Sequence, residues 1–123
     1  MNCIFCEIIK NNIPSYTIFE DEIVKVFLDI NPDSNGHTLI IPKKHYLDIS
    51  DIDTDVLNHI MTTAKKIKTL LEEKLNIDGL TLIQNNGDVQ EIKHYHLHLK
   101  PYYKNKQGIT DVKEIYNLIT KES

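Results

Sequence analysis

An α+β fold with a mainly antiparallel sheet is the class this sequence predicts, and three observations carry it. Two segments with strand-like alternation, Tyr16–Glu20 and Ile23–Asp29, lie close together around Asp21-Glu22. An apolar period of three and four residues takes over between Asp53 and Leu75. Strand-like runs then return at Leu80–Gln84 and His94–Leu99. Strands paired early, one long helix and further strands define the class.

Taken in order, Cys3–Ile9 suits a short helical turn with Phe5, Ile8 and Ile9 as its apolar side, ahead of Pro14. In the second strand Val24, Val26 and Leu28 share one face, and Ile23, Lys25, Phe27 and Asp29 the other. The turn formers from Asn31 to Gly36 predict a surface loop. His37–Ile41 follows as a short, largely buried strand stopped by Pro42, with Lys43-Lys44-His45 in a loop. In the long helix Leu57, Ile60, Met61, Ala64, Ile67, Leu71 and Leu75 form one stripe, read as core. Asp53 or Thr54 caps its start, Asp78-Gly79 marks its exit, and His59 falls on the solvated side. Leu80–Gln84 is a strand, and Asn85-Asn86-Gly87-Asp88 a turn. Thr110–Lys121 reads as an amphipathic helix with Val112, Ile115, Tyr116 and Ile119 on one side, led in by a flexible 104–108.

A chain of 123 residues suits one domain. Its 14 Lys and Arg against 18 Asp and Glu give a net charge of −4, mixed along the sequence. No basic stripe is present, which argues against polymeric nucleic acid as the main partner. The start has no basic region followed by a long apolar run, and no apolar run reaches membrane-spanning length. These features point to a soluble cytoplasmic protein without membrane contact. In that compartment Cys3 and Cys6, at Cys-x-x-Cys spacing, read as a metal pair or a redox pair rather than a structural disulfide.

The densest chemical signal is His94-Tyr95-His96-Leu97-His98-Leu99. On a strand, alternate side chains share a face, so the three imidazoles stand about 7 Å apart on one side. Tyr95, Leu97 and Leu99 then turn into the core. Imidazole serves as nucleophile, proton shuttle or metal ligand near neutral pH.

Several motifs in order strengthen this: Cys3-Ile4-Phe5-Cys6, Ile13-Pro14, Phe27-Leu28-Asp29-Ile30-Asn31-Pro32, Gly36 to His45, Gln84-Asn85-Asn86-Gly87 and the histidines themselves. Together they resemble the histidine triad (HIT) family, in its branch with the Hint-type nucleoside phosphoramidases. The resemblance covers about the first hundred residues. It implies a HIT domain over 1–103 with a HIT-like, five-stranded sheet; residues 104–123 fall outside it and read as a linker and helix packed on the same domain. It also implies a homodimer with a purine nucleotide site in each subunit.

The activity implied is hydrolysis at the α-phosphorus of a nucleotide conjugate, a phosphoramidate or a dinucleoside polyphosphate. His96 attacks phosphorus and carries the nucleotidyl group, and water releases the nucleoside monophosphate. By the same comparison His98 hydrogen-bonds the phosphate and assists the leaving group, while Asn85 and Gln90 donate to phosphoryl oxygens. Asp29 holds the ribose hydroxyls. Phe5, Ile8, Phe27 and Ile30 form the slot for the base, with ordinary core as the competing reading. Two thiolates at the Cys3–Cys6 spacing suit a tetrahedral structural zinc, and the similarity to bacterial HIT proteins completes it with His45 and His94. His37 is read as structural.

The chain departs from the family pattern in three places. The loop between Gly87 and His94 is short. Glu91 brings a carboxylate that repels phosphate unless turned away, and that would favour a cationic leaving group. Lys100-Pro101-Tyr102 follows the triad, and Lys100 joins the histidine face if the pleat continues. These departures keep a second reading open, a nucleotide-binding regulatory protein with little turnover. A third is a zinc-stabilised interaction module.

Overall fold

Five strands, β1 (Thr17–Glu20), β2 (Val24–Leu28), β3 (Thr38–Pro42), β4 (Gly79–Gln84) and β5 (Leu97–Tyr102), build one sheet. Their spatial order is β1-β2-β3-β5-β4, and every neighbouring pair is antiparallel. Three α-helices accompany it: α1 (Ile4–Ile9), α2 (Thr54–Leu75) and α3 (Val112–Thr120). The structure, a computed structural model, describes residues 3–122. Among them no helix is long and apolar enough to cross a membrane.

All five residues of β2 are buried, and alternation divides them between two cores. Val24, Val26 and Leu28 join Ile40, Tyr95, Leu97 and Leu99 beneath α2 and α3. Phe27 joins Leu39 and Ile41 on the opposite face, where Phe5 and Ile8 of α1 cover them. The thin second core matters most for function, because it leaves part of the sheet face open.

Asp53 caps α2 by accepting from the Asp55 amide at 3.0 Å. The helix ends at Asn76, which adopts a left-handed φ of 54°, two residues before the expected exit. The expected stripe is buried at Ile60, Ala64, Ile67 and Leu71, but Met61 is 44 % exposed. Thr63 takes the inward position instead, its hydroxyl donating to the His59 carbonyl at 2.8 Å. His59 is not simply solvated: its Nε2 lies 2.7 Å from Asp21 Oδ2 and ties α2 to the β1–β2 turn.

Two further expectations change. The last strand begins at Leu97, not His94, because the chain bends first: the His94 amide donates to Ile92 O at 2.9 Å and the Tyr95 amide to Tyr46 O at 2.8 Å. The lead-in to α3 is fastened rather than loose. Asn35 Nδ2 donates to Gly108 O at 3.1 Å, Asn35 Oδ1 accepts from the Thr110 amide at 2.8 Å, and Tyr103 Oη donates to Asn35 O at 2.7 Å. Helix α3 itself packs beside α2 and β1, with the Tyr116 ring tilted against that of Tyr16, away from the open sheet face.

Gly36 sets the entry to β3. Its φ is +91°, and a Cβ there would lie 2.6 Å from Leu75 Cδ1. Only glycine combines that backbone with that approach.

Candidate active site

A cavity of about 470 Å³ opens on the face that α1 covers incompletely, a volume in the range of small-molecule sites. Strand register explains its composition. Phe27 pairs with Leu39, and Leu39 with His98, so an apolar pair and a histidine lie in one row across three strands. Alternation along β5 then sets Lys100 one step beyond, on the same face as His98. Phe5, Ile8, Ile13, Phe27 and Leu39 supply an apolar end; Asp29, His37, Asn85, His96 and His98 supply polar groups. Ile30 lines the rim and is otherwise exposed.

His96 is buried, and its Nδ1 lies 2.8 Å from the His94 carbonyl. A carbonyl can only accept, so Nδ1 carries the proton and Nε2 keeps its lone pair. Burial lowers the pKa of His96 below the ordinary imidazole value, which holds that lone pair free at neutral pH. The edge of Phe5 packs on this ring, with centroids 5.1 Å apart.

His98 stands next to it, ring centroids 4.9 Å apart. Its Nδ1 is 2.9 Å from His37 Nε2. The Asp33 amide donates to His37 Nδ1 at 3.1 Å, so in neutral His37 the proton sits on Nε2 and is donated to His98 Nδ1. Neutral His98 therefore carries its own proton on Nε2. Burial, reinforced by the neighbouring His96 and His37, pushes the His98 pKa down to about 4. Burial likewise lowers that of His37. The two histidines thus present opposite faces of imidazole chemistry, an acceptor at His96 and a donor at His98.

His37 was expected to be only structural, and the structure places it in this chain of hydrogen bonds. Alternation in β3 carries the signal, since His37 shares the face of Leu39 and Ile41. Asp29 lies close by: Oδ2 is 3.6 Å from His37 Nε2, and Oδ1 accepts from the Asn31 amide at 2.8 Å.

The structure brings together Phe5, Ile8, Phe27, Asp29, Ile30, Asn85, His96 and His98, but not Gln90. Gln90 is buried with its Nε2 donating to Leu47 O at 2.6 Å, and its Oε1 has no partner. The short loop before the triad turns this side chain inward, away from the cavity lining. Glu91 and Lys100 both line the cavity, Lys100 with its ammonium 2.6 Å from Asp33 Oδ2.

His94 does not share the cavity with the other two histidines. The bend before β5 aims its ring behind Phe5, toward Cys3, Cys6 and His45. His94 Nδ1 lies 3.4 Å from Cys3 Sγ, 3.6 Å from Cys6 Sγ and 3.1 Å from His45 Nδ1, and Cys6 Sγ is 3.2 Å from His45 Nδ1. Around a tetrahedral zinc, N–N, N–S and S–S edges run from about 3.3 to 3.8 Å, given Zn–N near 2.0 and Zn–S near 2.3 Å. These four edges match that size to within a few tenths of an ångström. His94 Nε2 donates to Pro42 O at 2.9 Å, which leaves Nδ1 as the ligand atom. Burial pushes its pKa down to about 4, so the ring is neutral as a ligand must be. Burial, with Cys3 beside it, pushes the Cys6 thiol up to about 11, and a divalent cation is what reverses that preference. Cys3 also caps α1, its sulfur accepting from the Cys6 amide at 3.3 Å.

Comparison with known proteins agrees with this architecture. The family model described as the HIT domain matches residues 10–105. A HIT-like protein of Methanocaldococcus jannaschii is 42 % identical over 118 residues, covering 94 % of this chain and 91 % of its own. Adenosine 5'-monophosphoramidase of Saccharomyces cerevisiae is 41 % identical over 109 residues, covering 87 % of this chain and 66 % of its own. Among solved structures, a zinc-bound histidine triad family protein of Mycobacterium smegmatis superposes with a TM-score of 0.89 at 32 % identity, covering 97 % of this chain and 91 % of that one. The order of motifs, the sheet and the paired histidines are those of one lineage: the chain belongs to the HIT family.

Proposed function

We propose that the protein hydrolyses nucleotide conjugates at the α-phosphorus, with a purine nucleoside phosphoramidate or a dinucleoside polyphosphate as substrate and a nucleoside monophosphate as product. The observation that carries this reading is the tautomer pair: His96 keeps a free Nε2 lone pair at the cavity, and His98 beside it holds an Nε2 proton. The named activity of the yeast relative supports it.

For a phosphoramidate, the base enters the slot of Phe5, Ile8, Phe27 and Ile30, and the Asp29 carboxylate accepts from the ribose hydroxyls. Asn85 Nδ2 donates to the phosphoryl group. His96 Nε2 attacks phosphorus and the P–N bond breaks; the leaving nitrogen, hydrogen-bonded by His98 Nε2–H, takes its proton from solvent water and departs as the amine. His37 holds His98 in the donor tautomer. Water then attacks the phosphorus of nucleotidyl-His96, breaks the P–N bond to the imidazole and releases the monophosphate, its surplus proton passing to solvent. The net reaction is conjugate plus water to monophosphate plus amine.

Cys3, Cys6, His45 and His94 would hold a structural zinc. The ion supplies a fixed crosslink between α1 and the chain before β5, and no chemistry at phosphorus. The protein acts as a homodimer in this reading, with edge strand β4 and its exposed Leu82 available to a second copy.

Glu91 at the cavity and Gln90 turned away from it favour one alternative, a nucleotide-binding protein with little turnover. A single-turnover assay with adenosine phosphoramidate separates the two. AMP release by the wild type and not by His96→Ala supports hydrolysis; a folded, AMP-binding wild type that releases none selects the binding protein.

A further inference from the structure

On β2, the face that sends Phe27 toward the cavity also carries Lys25, and only 2 % of Lys25 is exposed. Its ammonium lies at the end of α1. Nζ donates to the Ile8 carbonyl at 3.0 Å and to Asn11 Oδ1 at 2.9 Å, with Glu20 Oε1 3.8 Å away. Asn11 itself turns the chain in a left-handed conformation, φ 63°, and its amide donates to the same Ile8 carbonyl at 3.0 Å.

Burying an ammonium group is costly unless hydrogen bonds and a nearby carboxylate compensate it, as they do at Lys25. The reason for a lysine therefore lies in what it holds. Helix α1 has six residues, too few to keep itself in place. Its Ile8 carbonyl, already bonded to the Asn11 amide, accepts a second bond from Lys25, the link from the end of α1 to the sheet. The same helix carries Phe5 and Ile8 of the base slot and both thiols of the Cys–His cluster. A shift of α1 along the sheet would widen the slot, move Phe5 off His96 and spread the thiols.

We propose that Lys25 is a positioning residue: its ammonium fixes where α1 lies on the sheet, and with it the base slot and the spacing of Cys3 and Cys6. The slot half of this inference rests on the nucleotide reading of the cavity; the thiol half does not.

Two variants of the full chain test it. Lys25→Met removes the ammonium and keeps the volume. Asn11→Gly removes one acceptor and keeps the left-handed turn, so the sheet is untouched. Three quantities are measured: the thermal midpoint, AMP affinity by calorimetry, and the rate at which a maleimide labels Cys3 and Cys6 in chelator-treated protein. Lys25→Met is expected to bind AMP about tenfold more weakly and to label about tenfold faster, the scale on which loss of an outer supporting contact is felt. Asn11→Gly moves both in the same direction by less. Unchanged affinity and labelling in Lys25→Met overturn the proposal. So does a lowered midpoint in Lys25→Met with Asn11→Gly inert in both readouts, which marks a merely structural lysine. If the wild type binds no AMP, the nucleotide reading alone fails, and the labelling rates still decide the role of Lys25.

Discussion

The carbonyl of His94 accepts the Nδ1 proton of His96 at 2.8 Å, while the His94 ring faces Cys3, Cys6 and His45. One residue borders both centres, its side chain in the cluster and its backbone fixing the tautomer of its neighbour. Disturbance of the cluster therefore reaches the cavity through two covalent steps of chain.

Chelation is the most direct way to apply that disturbance. Removing the metal, or replacing Cys6 by Ser, is expected to lower the thermal midpoint by more than about 10 °C, as loss of a tightly bound ion does. Cobalt loaded in its place should show thiolate charge-transfer absorption that Cys6→Ser diminishes. An unchanged midpoint after exhaustive chelation would contradict a structural metal.

His96→Ala leaves the apolar end of the cavity and Asp29 in place and removes the proposed nucleophile. Single-turnover release of AMP is expected to fall by more than about a thousandfold, with AMP affinity held within a few-fold. Trapping the wild type after acid quench should yield a nucleotidyl adduct on the peptide containing His96, and an adduct elsewhere would count against the assignment.

His37 touches the reaction only through His98. His37→Ala leaves His98 free to place its proton on either nitrogen, so kcat should drop by roughly ten- to a hundredfold, at the low end of acid–base effects, with KM little changed. The ring nitrogen chemical shifts of His98 report the tautomer directly. A variant with wild-type kcat would return His37 to a purely structural role.

The pH response follows from the depressed His98 pKa, about 4 in the folded chain against an ordinary imidazole value of 6.5, through burial first and neighbouring imidazoles second. The unfolded chain takes up the proton first as pH falls, so the unfolded state binds more protons between these values. The contribution of neutral His98 to stability is full above pH 6.5 and is lost as pH falls toward 4. A midpoint flat across that window, in His98→Asn as in the wild type, would contradict it.

Much of this arrangement could be read before any coordinates. The stripe from Leu57 to Leu75 announced α2 because a helix face buries at steps of three and four, and alternation in β2 assigned Val24, Val26 and Leu28 to one core and Phe27 to another. The eight residues that meet at the cavity were expected from the family resemblance that the motif order carries. What escaped were relations across distance. The His37–His98 contact spans 61 positions, and nothing local in the loop announces it. The bend that separates His94 from His96 depends on Tyr46 receiving the Tyr95 amide, a tertiary partner that a period-two pattern ignores. Gln90 fell to the short loop before it, whose geometry follows from where Leu47 lies. Met61 faces out because Thr63 satisfies its hydroxyl within the helix and can occupy the buried side.

Asn35 has a consequence for how such a site can diversify. It belongs to the loop between Asp29 and His37, yet its side chain is committed to Gly108 and Thr110, beyond the region matched by the family model. Residues after 105 thus brace the loop between Asp29 and His37 without lining the cavity. Change in this tail, by drift or by engineering, is expected to shift that loop while every histidine stays where it is.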